Sequence, residues 1–148
     1  MAKKNSFRFE DNSKKAKKAL RSTGITAMTK AVGIVEDNIK PLVPVDTGGT
    51  RDHITNEVTV HGAEIKGVVG SPHKHAIYLE FGTGEFAENG SGRKGGWVYK
   101  GPDGKFYFTR GMKPQPFMRP GFKASESQIK KTIGDEYKIT FSRGGGRG

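Results

Sequence analysis

The sequence predicts an α+β fold, with a long N-terminal helix and a shorter C-terminal helix packed on a small, mainly antiparallel sheet. Three observations carry this. Apolar residues recur at spacings of three and four from Ile25 to Ile39. Residues 53–70 alternate apolar and polar side chains around a turn. Two aromatic-rich runs flank Gly101-Pro102-Asp103-Gly104. The 148 residues suit a single domain over 12–141, between a basic arm at 1–11 and a Gly/Arg tail at 142–148 expected to be disordered. Leu, Ile, Val and Phe total 30 residues and Gly 22, so a small core with long mobile segments is expected.

Ile25, Met28, Val32, Val35 and Ile39 fall on one helical face, which Ala27, Ala31 and Ile34 widen. That pattern predicts a helix over 12–40. Asn12 or Ser13 can cap its start, because a short side-chain oxygen accepts from an orphan backbone N–H. Pro41 ends it, having no donor and clashing with the preceding turn. Ile54, Asn56, Val58 and Val60 share one face of a strand, His61 to Glu64 is a turn, and Ile65 to Gly70 is a second strand. Ala76 to Phe81 is a short apolar-rich element of open type. Residues 82–96 hold six glycines and form a loop longer than most, either functional or mobile.

Trp97 to Lys100 and Lys105 to Phe108 form the strongest hairpin signal, since Pro presets a turn angle and Asp-Gly supplies the rest. Trp97, Tyr99, Phe106, Tyr107 and Phe108 cluster on it. Alternation sends some of them to the core and leaves the others for neighbouring subunits or, less favourably, for stacking on bases. A second helix is expected over 117–133, with Phe122, Ile129 and Ile133 inward and Pro120 in its first turn. Tyr137, Ile139 and Phe141 alternate as a closing strand.

The net charge is +11, and its placement says more than its size. Residues 1–30 hold nine basic and two acidic side chains, residues 143–148 add Arg143 and Arg147, and the body is nearly neutral. Lys14, Lys15, Lys17, Lys18 and Arg21 sit where the helix dipole is positive, so they gain nothing from it and point to DNA or an acidic partner. The competing account is a solvated arm that maintains solubility. Without cysteine there are no disulfides or thiolate ligands, as suits a protein made in a reducing cytoplasm. No apolar h-region follows the basic start, and no apolar run approaches the ~20 residues that span a bilayer.

Catalytic and cofactor chemistry finds little footing. His73 and His75 lie two apart, and His53 and Glu80 could approach them, but zinc sites need three or four placed ligands. The glycines of 82–96 lack the Gly-Lys-Ser/Thr of a phosphate loop. No metal, cofactor or catalytic residue is therefore assigned. Glu80 stands between Leu79 and Phe81, so if buried it needs a cation, for which Arg51 is the candidate.

Three motifs in order carry a resemblance. They are Pro44-Val45-Asp46-Thr47-Gly48 with Arg51, then Tyr78-Leu79-Glu80-Phe81-Gly82-Thr83-Gly84, then Gln115-Pro116-Phe117-Met118-Arg119-Pro120. Together they resemble the tail-completion, or head–tail joining, proteins of long-tailed bacteriophages, over about residues 25–125. Thr50 stands where that family usually has a bulky apolar residue. The resemblance implies a structural, non-enzymatic protein of the virion neck or upper tail, present in the host cytoplasm before assembly. Its expected partners are other neck and tail proteins and itself, in a ring, typically a hexamer, around the DNA passage. A monomer in solution is compatible with that ring, contact with packaged DNA is non-specific, and no membrane is involved. The alternative is a stand-alone basic nucleic-acid-binding protein using the aromatic hairpin. A small hydrolase built on Glu80 and the histidines ranks last.

Overall fold

A computed structural model describes residues 8–44 and 48–144. Phe7, Asp46, Thr47 and the last four residues lie outside the described residues. Helix α1 runs Ser13–Ile39. Its start is capped by Asp11, whose carboxylate accepts from the Ser13 N–H at 2.9 Å, rather than by Asn12 or Ser13. Pro41 ends it in a single 3-10 turn, Lys40–Leu42. Thr23, Gly24, Ala27, Ala31, Val32, Val35 and Ile39 are buried, so the buried stripe is rotated from the expected one and Ile25 lies at its exposed edge. The small residues Gly24, Ala27 and Ala31 let a second helix approach closely.

Helix α2, Gly48–Asp52, turns the chain into strand β1, Thr55–His61, which pairs antiparallel with β2, Glu64–Gly70. The register sets Val60 against Ile65, Val58 against Gly67 and Asn56 against Val69. This face lies against α1, as the alternation predicts. Gly67 is needed there, since a Cβ would stand 2.5 Å from Val32 Cγ1 and 2.7 Å from Met28 Sδ. The open element at 76–81 is helix α3, His75–Phe81. Strands β3, Trp97–Lys100, and β4, Phe106–Thr109, form the second hairpin. The two hairpins are separate two-stranded sheets rather than parts of one sheet.

The C-terminal region departs most from expectation. Helix α4 runs Met118–Gly144, as long as α1 at 27 residues. It replaces the expected shorter helix, the closing strand and the first residues of the tail. Tyr137, Ile139 and Phe141 do alternate, but Ile129, Ile133, Tyr137 and Phe141 also recur every fourth residue, and the longer-range helical period wins. Tyr137 and Phe141 stack at 6.4 Å between ring centroids, as residues four apart on a helix do. The helix packs antiparallel on α1. Asn38 Nδ2 donates to Ser125 Oγ at 2.9 Å, Lys30 pairs with Glu136, and the Thr23 and Thr140 hydroxyls bond at 2.8 Å. Gly121 and the fully buried Ser125 face α1, while Phe122, expected inward, is exposed. The main core joins Val35, Ile39 and Val43 to Ile54, Leu79 and Phe117, so α1, the first hairpin, α3 and the start of α4 share it.

Candidate functional site

The second and third motifs meet at Glu80. The first N–H groups of a helix have no partner within it. At the start of α4 they point at the Glu80 carboxylate, which is only 4% exposed. Oε2 accepts from Phe117 N at 2.8 Å and Met118 N at 2.9 Å. Oε1 accepts from Arg119 N at 3.2 Å and Arg119 Nε at 2.8 Å. Two acceptor sites on each oxygen are thereby filled. Burial pushes the Glu80 pKa up, but the Arg119 guanidinium and the three backbone N–H groups outweigh it and hold the carboxyl below its ordinary value. An ionised, fully bonded carboxylate is a structural clamp and a poor general base.

Arg119 extends the clamp. Its terminal nitrogens donate to both Glu88 oxygens, at 3.0 and 2.9 Å, and to the Glu80 carbonyl at 3.2 Å. Its guanidinium lies 4.9 Å from the Phe81 ring centroid. Glu88 first, then Glu80, push the arginine pKa up. Arg119, not Arg51, is thus the partner of Glu80. Arg51 lies exposed on α2. The signal that could have found the clamp is Pro120, which marks the first turn of α4 and hence the N–H groups that need an acceptor. Nothing in the sequence pointed to Glu88.

The Gly82-Thr83-Gly84 segment runs against 110–114. Thr83 N donates to the Met112 carbonyl and Met112 N to Thr83 Oγ1, both at 2.9 Å, and Glu85 N donates to the Arg110 carbonyl at 2.9 Å. Gly82 has φ +74°, and a Cβ there would stand 2.8 Å from two carbonyl oxygens and from Pro114 Cδ. The glycines of this motif are therefore set by backbone packed on backbone. Farther along, Glu88 N donates to the Phe81 carbonyl, which ties the glycine-rich segment to α3, and Gly95 N donates to Glu85 Oε1 within the segment. Tyr78, Phe81, Ala87, Asn89 and Gly92 line a trough of about 490 Å³ beside it.

The aromatic hairpin stands off the body. Val98 pairs with Phe108 and Lys100 with Phe106, so these four share one face. Val98, Phe106 and Phe108 are 61%, 73% and 62% exposed. On the other face Tyr99 and Tyr107 lie 5.9 Å apart and are also exposed. Trp97 alone of the cluster is half-buried, packed beside Gly84 with Arg93 over its ring. Trp97 packs on the glycine-rich segment and is not among the residues of the main core or those packed against it.

Of the first motif, Pro44 is half-buried and Thr50 fully buried, so the threonine takes a core position. Pro116 and Pro120 are exposed at the start of α4. Lys14, Lys15, Lys17, Lys18 and Arg21 are exposed on α1. His53 and His73 do approach, with ring centroids 4.3 Å apart, but no group of three or more His, Cys, Asp or Glu fit for a metal occurs among the described residues. No helix among those residues is long and apolar enough to cross a membrane.

Residues 7–82, just over half of the chain, match the model of the HK97-gp10-like family, described as "Bacteriophage HK97-gp10, putative tail-component". The matched stretch holds the first motif and the second through Gly82. No curated protein and no solved structure matches the chain. By its motifs, the α+β architecture that unites them and this match, the chain belongs to the HK97-gp10-like family of phage tail components.

Proposed function

We propose that this protein completes the phage tail at the virion neck and helps join it to the DNA-filled head, as one subunit of a ring around the DNA passage. It acts by binding, with no catalytic step. The observation that carries the reading is the exposed hairpin face of Val98, Phe106 and Phe108. A contiguous apolar patch on a protruding, regular element is the mark of an assembly surface. The Glu80–Arg119–Glu88 clamp supports it from below, since it fixes α3, the 83–92 segment and α4 in one rigid unit on which a neighbour can register. The ring, its copy number and the neck position come from the resemblance to tail-completion proteins. The family membership itself implies contact with other virion proteins.

Deleting the gene from a phage that carries it, and imaging the lysate by negative-stain electron microscopy, tests the proposal. Filled heads beside unjoined tails, or tails with faulty ends, are expected. Normal joined particles would overturn it.

A further inference from the structure

We propose that the aromatic hairpin of one copy of this chain docks into the trough beside Tyr78 and Phe81 of a second copy. The inference rests on the assembly reading above and deepens it, by naming what the hairpin meets. One half of the contact is convex. Val98, Phe106 and Phe108 stand largely exposed on one face of the hairpin, with Lys100 beside them on that face. The other half is concave. Tyr78 and Phe81, each about half exposed, wall a trough of about 490 Å³. Gly82, Gly84 and Gly92 line it without side chains, so an incoming ring can lie directly on backbone. The charges match as well. In a chain with 26 basic and 15 acidic residues, the one charged side chain lining this trough is Glu88. Arg119 donates once to each Glu88 oxygen. A carboxylate has about four acceptor sites, so room remains for the Lys100 ammonium that the hairpin brings with its rings.

The occupant is a second copy because the chain's own hairpin is held away. Both feet of the hairpin stand on Glu85. Gly95 N donates to Glu85 Oε1 just before β3, and the Arg110 carbonyl accepts from Glu85 N just after β4. Trp97 at the root packs beside Gly84, at the trough's own wall. A hairpin rooted there rises beside its trough and cannot turn over into it without breaking these bonds. Area sets the strength. Two phenylalanines that bury roughly 150–250 Å² each, with the trough they cover, fall short of the about 1,200–2,000 Å² of stable protein pairs. One such contact is weak alone and holds when the other contacts of an assembly add to it. Hairpin and trough are different surfaces, so each copy can give its hairpin to one neighbour and receive the hairpin of another.

The chain has no cysteine, so introduced thiols stand alone and report contact between copies. Val98→Cys places one on the hairpin face and keeps both phenylalanines, Ala87→Cys places one in the trough, and Lys130→Cys, exposed on α4, is the control. Two full-length chains, one of them tagged, are mixed at millimolar concentration with a short bismaleimide, which bridges thiols that the strict geometry of a disulfide would miss. Circular dichroism checks that each variant folds. The Val98→Cys and Ala87→Cys mixture is expected to give several-fold more heterodimer than either chain mixed with the control. Adding Phe106→Ser and Phe108→Ser to the hairpin chain should bring the yield down to the control level, and Lys100→Glu should lower it in part. A yield no higher than the controls overturns the contact. Val98→Cys bridging to itself as readily as to Ala87→Cys means that hairpins pair with one another, and overturns the trough as their partner. The chain carrying both cysteines is also supplied in trans to a phage deleted for the gene. Joined particles that give no cross-linked multimers overturn this inference and leave the tail reading standing. A specific heterodimer in solution, with normal joined particles after gene deletion, overturns the tail reading and leaves this contact standing.

Discussion

Glu80 decides how three segments meet, because one carboxylate caps a helix and holds the arginine that fastens the next loop. Replacing it with Gln removes the charge and turns one acceptor into a donor that faces backbone N–H groups. Loss of a cap and of buried charged hydrogen bonds together is expected to cost about 2 kcal/mol, measured by urea denaturation. An unchanged midpoint would show that the clamp is incidental. The pH dependence has a definite sign. A carboxyl whose pKa is lower folded than unfolded contributes fully above its ordinary value of about 4.3, and the contribution is lost as pH falls through the lowered folded value. Glu80→Gln should therefore narrow the stability gap between neutral and acidic pH. Glu88 behaves differently. Its pair with Arg119 is about half exposed on both sides, so Glu88→Ala is expected to cost under about 1 kcal/mol globally. Its effect should appear instead as faster hydrogen exchange at 83–92, and unchanged exchange there would mean the arginine does not hold the segment.

Among the elements, the helix pair carries the clearest lesson about packing. Gly134 lies inside α4, and a Cβ there meets nothing within 4 Å. Gly134→Ala should stabilise the fold by about 0.5–1 kcal/mol, by reducing the freedom of the unfolded chain. Gly121→Ala is expected to do the opposite, by about 1–3 kcal/mol, since its Cβ would sit 3.0 Å from Ile39 Cα and 2.5 Å from Cγ1. Thermal melts of both variants check the contrast, and like signs would contradict the close approach at Gly121. The same glycines show what the sequence made legible. Elements with strong local punctuation were readable: Pro41 closed α1, the alternation over 54–70 set the face of the first hairpin, and Pro-Asp-Gly set the second. The extent of α4 was not, because Tyr137, Ile139 and Phe141 also fit the alternation of a strand and the packing on α1 that decides for the helix is long-range. The Glu80–Arg119 pair was missed for the same kind of reason. Both residues stood out within their motifs, but 39 positions separate them and no local pattern joins them. The cost of burying Glu80 did predict a cation, and tertiary packing chose which one.

The whole molecule has one end built for rigidity and one surface built for contact. Around the core at Val35, Ile39, Ile54, Leu79 and Phe117, helices and clamp fix the frame, while the aromatic hairpin contributes almost nothing to it. Val98, Phe106 and Phe108 bury little in the single chain, so their removal should barely change its stability. A chain with all three replaced by Ser is expected to unfold within about 0.5 kcal/mol of the native protein, as surface changes usually do. In a phage deleted for the gene, the same chain supplied in trans should fail to restore joined particles, because desolvated aromatic anchors dominate the energy of protein interfaces. The two measurements must be taken together. Normal stability with failed complementation assigns the hairpin to assembly. Normal stability with full complementation removes it from the interface and moves attention to the trough beside Tyr78 and Phe81. A large loss of stability would show instead that the hairpin belongs to the fold, and its exposure would then need another explanation.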